Sequence, residues 1–118
     1  MVVALFVRPD AYLARYREPD KALSGLGDAT AWPVPYWFVD GGFAALSLLL
    51  AAVDAGLGAC FLGNFRGEEA LRNALGVPAD RRFLGAVLLG EAGGDDPPSP
   101  SLRRGRRGAE DAVHRGRW

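Results

Sequence analysis

Between Phe43 and Val53 the chain reads Phe-Ala-Ala-Leu-Ser-Leu-Leu-Leu-Ala-Ala-Val, apolar everywhere except Ser47. No other stretch limits the fold so tightly. Asp40 precedes it as a good N-cap, and Gly56 or Gly58 follows as a left-handed C-terminal residue, so a helix is predicted over 40–57. Phe43, Leu46, Leu50, Val53 and Leu57 recur at spacings of three and four on one stripe, while Leu48, Leu49 and Ala52 fill other faces. Such a helix is expected to be buried nearly all round, its stripe a core or dimer contact and no cofactor box. The apolar run is shorter than the ~20 residues a membrane-spanning helix needs.

Around this helix the remaining pattern alternates. Val2–Val7 is a continuous β-prone run that reads as a strand buried on both faces. A strand beginning at residue 2 suggests one cut from a longer protein; the plain alternative is an inner or edge strand at a true N-terminus. Pro9–Tyr16 suggests a short helix with Pro in its first turn. Residues 17–36, with Gly25, Gly27, Pro33 and Pro35, have no period, and connections of that length tend to be lids or disordered segments. Ala59–Leu62 is a short strand, Glu68–Leu75 a helix stopped by Gly76-Val77-Pro78, and Phe83–Leu89 a buried strand interrupted by Gly85. A linker follows over 91–101, centred on Asp95–Pro100. A basic arm occupies 102–118, and Asp111–Arg117 is its one candidate helical turn or extended arm. Strands alternating with helices predict a layered α/β (α+β) domain in which helices cover a sheet.

The formal net charge is zero, which excludes a whole-molecule attraction to nucleic acid or acidic membranes. The charge is uneven, however, because residues 101–118 hold six arginines against Glu110 and Asp111. Arg103, Arg104, Arg106 and Arg107 carry planar forked donors suited to phosphate. The plain alternative is a solvated basic tail. Aromatic interleaving is absent except at Trp118, so no nucleic-acid partner is expected. Cys60 is the sole cysteine, which leaves no intramolecular disulfide and no CxxC site. His114 has no ligand partner at metal-binding spacing, so no metal is expected. Ser47 and Cys60 have no base placed by sequence, and no phosphate loop follows a strand. The apolar start lacks the n-region and cleavage site of a secretory signal, so the expected location is cytoplasmic and no membrane partner is expected. Trp32, Tyr36, Trp37 and Phe38 form the densest aromatic patch, suited to stacking on aromatic substrates or to packing at the entry of the central helix.

The stretch Val39-Asp-Gly-Gly-Phe-Ala-Ala-Leu-Ser-Leu-Leu-Leu-Ala-Ala-Val-Asp-Ala-Gly-Leu-Gly-Ala-Cys-Phe-Leu-Gly63 resembles the nitroreductase family: a long central helix, a Gly-Leu-Gly turn and a short strand ending in glycine. Glu69–Pro78 looks like that family's next helix and Phe83–Gly90 like its following strand. Arg106-Arg107 with Glu110–Trp118 resembles its C-terminal motif. Tyr12, Tyr16, Glu18–Lys21 and Trp32–Trp37 are similar to an actinobacterial-type branch. The resemblance implies a three-layer α-β-α sandwich, here one partial domain over 1–118 that is incomplete at the N-terminus. It implies FMN as cofactor and NAD(P)H-driven reduction of nitro or quinone-like aromatic substrates by flavin hydride transfer.

For this sequence the resemblance places the amides of Leu62 and Gly63 at the flavin ring with Asn64 nearby. It brings Arg106 and Arg107, and in the same cluster Arg104, to the FMN phosphate, and makes Trp32, Tyr36 and Trp37 substrate-facing. No catalytic side chain is implied, because the flavin carries the hydride chemistry. A homodimer is implied, with flavin sites at the subunit interface and the C-terminal arm wrapping the partner. One departure counts against this. The family's opening helix, with its Arg-rich, Ser-containing phosphate motif, has no counterpart here. The alternative function is therefore a non-catalytic fragment or dimerisation module unable to hold FMN on its own.

Overall fold

Three strands carry the fold: β1 (Val2–Val7), β2 (Gly58–Leu62) and β3 (Arg82–Gly90). In the computed structural model, which describes residues 1–64, 66–91, 93–94 and 97–116, they form one sheet in the order β1-β3-β2, with both pairings antiparallel. The chain's last strand therefore lies in the middle. In β3, Val87 pairs with Val3 on one side and Phe61 on the other, and among the described residues it is the one large side chain with no exposed surface.

Among the described residues four helices accompany the sheet: α1 (Pro9–Tyr16), α2 (Tyr36–Asp54), α3 (Glu68–Ala74) and α4 (Ala109–Ala112). Two short 3-10 turns, Ala22–Ser24 and Ala29–Ala31, organise the segment expected to be irregular, and a third spans Pro100–Arg104. The class is mixed helix and sheet, as read, with α2 packing against all three strands.

How α2 packs corrects the sequence reading. The buried residues of the helix are Ala45 and Ala52, not the large apolar stripe. Gly41 belongs to the same contact, since a Cβ there would stand 2.7 Å from Val7 Cγ1 and 3.0 Å from Leu84 Cδ2. Small residues let the helix backbone lie close to the strands. The stripe consequently faces outward, with Phe43 63%, Leu50 61% and Val53 66% exposed. A periodic stripe announces a helix without saying which of two apolar faces goes inward. The helix is also longer than the apolar run, and by length and composition alone it could cross a membrane.

The ends of α2 divide similarly. It starts at Tyr36 behind Pro35, so Asp40 lies inside the helix and is not its N-cap. Its C-terminus is as expected. Gly56 adopts φ 74°, the Leu57 amide donates to Ala52 O at 2.9 Å, and the Gly56 amide to Val53 O at 3.0 Å. These are the paired bonds of a Schellman stop. Gly76 ends α3 in the same way, with Val77 N–H to Arg72 O at 2.9 Å and Gly76 N–H to Asn73 O at 3.2 Å.

Other boundaries shift. β1 is an edge strand in which only Val7 is buried, not a strand buried on both faces, because it has β3 on one side alone. Cys60 is exposed, since β2 is the opposite edge. The helical turn of the arm is Ala109–Ala112 instead of 111–117, with Glu110 and Asp111 in its first turn, where acids suit the helix dipole. Arg117 and Trp118 lie outside the described residues, as do Ala92, Asp95 and Asp96 of the expected linker.

Gly85 is needed where it stands. The register slips between Leu5 and Phe6, leaving Leu84 as an extra residue in β3. Phe61 then crosses over Gly85, where a Cβ would lie 2.4 Å from Phe61 Cζ and 2.8 Å from the Leu62 carbonyl oxygen. Gly85→Ala is expected to cost about 1–3 kcal/mol, the range for overpacking a filled site. Gly90→Ala, with nothing within 4 Å, is expected to be near neutral. Urea-unfolding midpoints of the two variants check this, and equal midpoints would contradict the packing described.

Candidate functional site

The aromatic patch read from sequence is larger in three dimensions. Trp32 is its hub. Its ring meets Tyr16 edge-on at 4.8 Å and 88°, Tyr12 at 5.5 Å and 75°, Tyr36 at 5.8 Å and Trp37 at 6.2 Å. Its indole N–H donates to Leu26 O at 2.8 Å. Trp32, Tyr36 and Trp37 are thus brought together as expected, while Phe38 touches the group only through Trp37, at 6.4 Å. Tyr36 is the open member at 45% exposure, and Trp32 and Trp37 are half-buried.

Tyr12 and Tyr16 complete the cluster from α1. Being four residues apart, they sit on one helix face with rings 6.3 Å apart and nearly parallel. The Tyr12 hydroxyl donates to Asp40 Oδ2 on α2. Asp40 accepts that hydrogen bond first, and burial adds to it, so the Tyr12 phenol is pushed up to about 12. Sequence reasoning missed this pair, because 28 residues separate its members and no local pattern links them.

The segment between α1 and α2 is closed by polar contacts. Arg15 binds Asp20 with two bonds of 2.7 Å and reaches Glu18 at 3.0 Å. Arg17 Nε donates to Gly27 O at 2.8 Å, where glycine leaves room for the arginine stem. Asp28 caps the second 3-10 turn by accepting from the Thr30 amide and hydroxyl, and those bonds hold its carboxyl below the usual range. Lys21 Nζ lies 5.9 Å from the Tyr16 ring centre.

The two other groups of candidates stand apart. Leu62, Gly63 and Asn64 are exposed where β2 ends, and Asn64 Oδ1 accepts from the Arg66 amide at 3.2 Å, forming a side-chain turn. Arg104, Arg106 and Arg107 line an open concavity of about 550 Å³ with Ser101 and Gly105. Among the described residues no ion pair engages these arginines or Arg103. Their forked donors are free for an anion. That concavity includes none of Leu62, Gly63 or Asn64. The donor set fits a phosphate group and the β2 end fits backbone approach to a flat ring; among the described residues the concavity of the arm does not take in the β2 end.

A three-stranded antiparallel sheet under one long helix, with a folded aromatic segment ahead of it and a basic arm behind, defines a mixed α/β class of domain. The nitroreductase family profile matches residues 13–91, and the chain belongs to that family. Among solved structures, one from Bacteroides thetaiotaomicron VPI-5482, provisionally named an NADH dehydrogenase/NAD(P)H nitroreductase, superposes with a TM-score of 0.56 at 21% identity. It covers 99% of this chain and 73% of its own. At that identity the likeness establishes the fold. No curated protein matches the sequence.

The raised Tyr12 phenol gives a signed pH dependence. A phenol that stays neutral longer in the folded state adds stability below its unfolded value near 10, and that contribution is lost as pH rises to about 12. Wild-type protein is therefore expected to melt above Tyr12→Phe at pH 8 and to lose that advantage between pH 10 and 12. Paired thermal melts check this, and a difference that does not change with pH would contradict it.

Proposed function

We propose that this chain is an FMN-dependent oxidoreductase, driven by NAD(P)H, that reduces nitro or quinone-like aromatic compounds as a homodimer in the cytoplasm. Membership of the nitroreductase family supports an oxidoreductase. The feature that carries the cofactor reading is the pair of uncommitted elements in one chain: the bare glycine end of β2 and Arg104, Arg106 and Arg107 of the arm, which are unpaired among the described residues. Flavin, when bound, supplies the hydride chemistry. The chain's own part is to offer backbone at Leu62 and Gly63, with Asn64 beside them, and to neutralise phosphate with Arg104, Arg106 and Arg107. Tyr36, exposed beside Trp32 and Trp37, supplies a flat wall for an aromatic substrate.

The homodimer is supported by surface arithmetic. The chain exposes 9398 Å², against about 6,200 Å² for a folded monomer of this mass. Its radius of gyration is 18.7 Å, against about 13 Å for a compact chain of this length. Stable interfaces bury ~1,200–2,000 Å² in total, and obligate ones more. The outward stripe Phe43, Leu46, Leu50 and Val53 is the natural surface for a second α2. The exposed thiol of Cys60 suits a reducing compartment.

The small buried core favours a second reading, a fragment or dimerisation module that does not retain FMN. Titration with FMN separates the two. The enzyme reading predicts flavin uptake, a raised melting temperature, and at least a roughly tenfold loss of affinity in the Arg106→Ala/Arg107→Ala double variant, from two lost charge-assisted bonds. A colourless protein that neither takes up FMN nor gains stability from it would overturn the enzyme reading and leave the second one.

A further inference from the structure

We propose that Tyr12 and Asp40 are positioning residues: their hydrogen bond clasps α1 to α2 and holds the Trp32 hub, which fixes the shape of the aromatic wall. This rests on the reading of Trp32, Tyr36 and Trp37 as that wall.

Trp32 sits near the end of a segment that leaves α1 at Arg17 and rejoins the helical frame at Pro35. Its ring is held only by what surrounds it. Tyr12 and Tyr16 approach from α1, and Tyr36 and Trp37 from the first turn of α2. The indole N–H ties the hub back to Leu26. The spacing of α1 from α2 therefore decides where Trp32 sits.

Among the described residues the Tyr12–Asp40 bond is the polar connection across that spacing. Arg15, Arg17 and Asp28 spend their bonds within the connecting segment, on Glu18, Asp20, Gly27 and Thr30. Asp40 lies four residues beyond Tyr36 and three beyond Trp37, so it faces the same side of α2 as the rings it helps to place. An acid at that point does nothing for the helix terminus, which lies a turn earlier at Pro35. Its hydrogen bond to the phenol is a tertiary role.

The wall is selective only while it is held. Aromatic side chains in edge-to-face contact add a small stabilisation per pair beyond area burial. That is enough to favour one arrangement, yet small enough that losing the clasp changes its population. Without the hydroxyl bond, α1 and the hub separate from α2, and Trp32 and Tyr36 no longer present a fixed face.

The test uses the full chain carrying Trp118→Phe, so that fluorescence reports Trp32 and Trp37. Tyr12→Phe keeps the ring and removes the hydroxyl; Asp40→Leu keeps a similar size and removes the acceptor. Asp54→Asn, at the far end of α2, is the control. Acrylamide quenching reads the hub, and the dissociation constant of 4-nitrobenzoate, from static quenching, reads the wall. Both clasp variants are expected to raise the acrylamide quenching constant at least twofold and to weaken 4-nitrobenzoate at least threefold. The double variant should be no worse than either single one, and Asp54→Asn should match wild type. Quenching unchanged in Tyr12→Phe and Asp40→Leu, or fully additive effects in the double variant, would overturn the clasp. Raised acrylamide quenching with no 4-nitrobenzoate binding in any variant, wild type included, would uphold the clasp and overturn the substrate-wall reading instead.

Discussion

Everything in this chain is arranged around the contact between the small face of α2 and the sheet. Gly41, Ala45 and Ala52 let the helix backbone lie close over strands whose inward rows include Val7 and Val87. Close approach favours small side chains, and that choice sends the large ones outward. The same contact explains the stable part of the fold and the surface it leaves uncovered. A helix with two apolar faces can satisfy one within its own chain. The other, along Phe43, Leu46, Leu50 and Val53, requires a second surface.

The frame also places the site candidates. Because β3 occupies the middle, β2 becomes an edge, and its glycine end at Gly63 is open. Because α2 begins at Tyr36, its first turn carries Tyr36 and Trp37 to the aromatic hub, and its second brings Asp40 to Tyr12. The basic arm stands apart from both, with its arginines uncommitted among the described residues. A flavin-binding reading needs these three parts to converge. One copy holds the parts without the convergence, which is why the functional reading depends on the proposed dimer.

Much of the element order was legible in the sequence, and the reasons are local. Gly56 and Gly76 stop their helices as the pattern indicated, since a left-handed residue after an apolar run is a short-range signal. Family membership was legible from the ordered series between Tyr12 and Trp118, of which residues 13–91 match the family profile. What could not be read was tertiary. Asp40 looked like an N-cap because it precedes the apolar run, but its carboxylate is held by Tyr12, 28 residues away. The outward stripe read equally as core or dimer contact because periodicity identifies a face without its direction. β1 looked doubly buried because an apolar run does not tell an edge from a centre. In the site, Trp32, Tyr36 and Trp37 were found as neighbours, whereas the contributions of Tyr12 and Tyr16 depended on how α1 folds back.

The central claim is that the outer face of α2 is completed by a second copy of the chain. Sedimentation equilibrium of the wild type and of Leu50→Glu, over a hundredfold range of concentration, measures it directly. The account predicts a wild-type mass of twice the chain, and a Leu50→Glu species that is monomeric or dissociates at far higher concentration. A wild-type protein that is folded and monomeric throughout, with Leu50→Glu indistinguishable from it, would contradict the account.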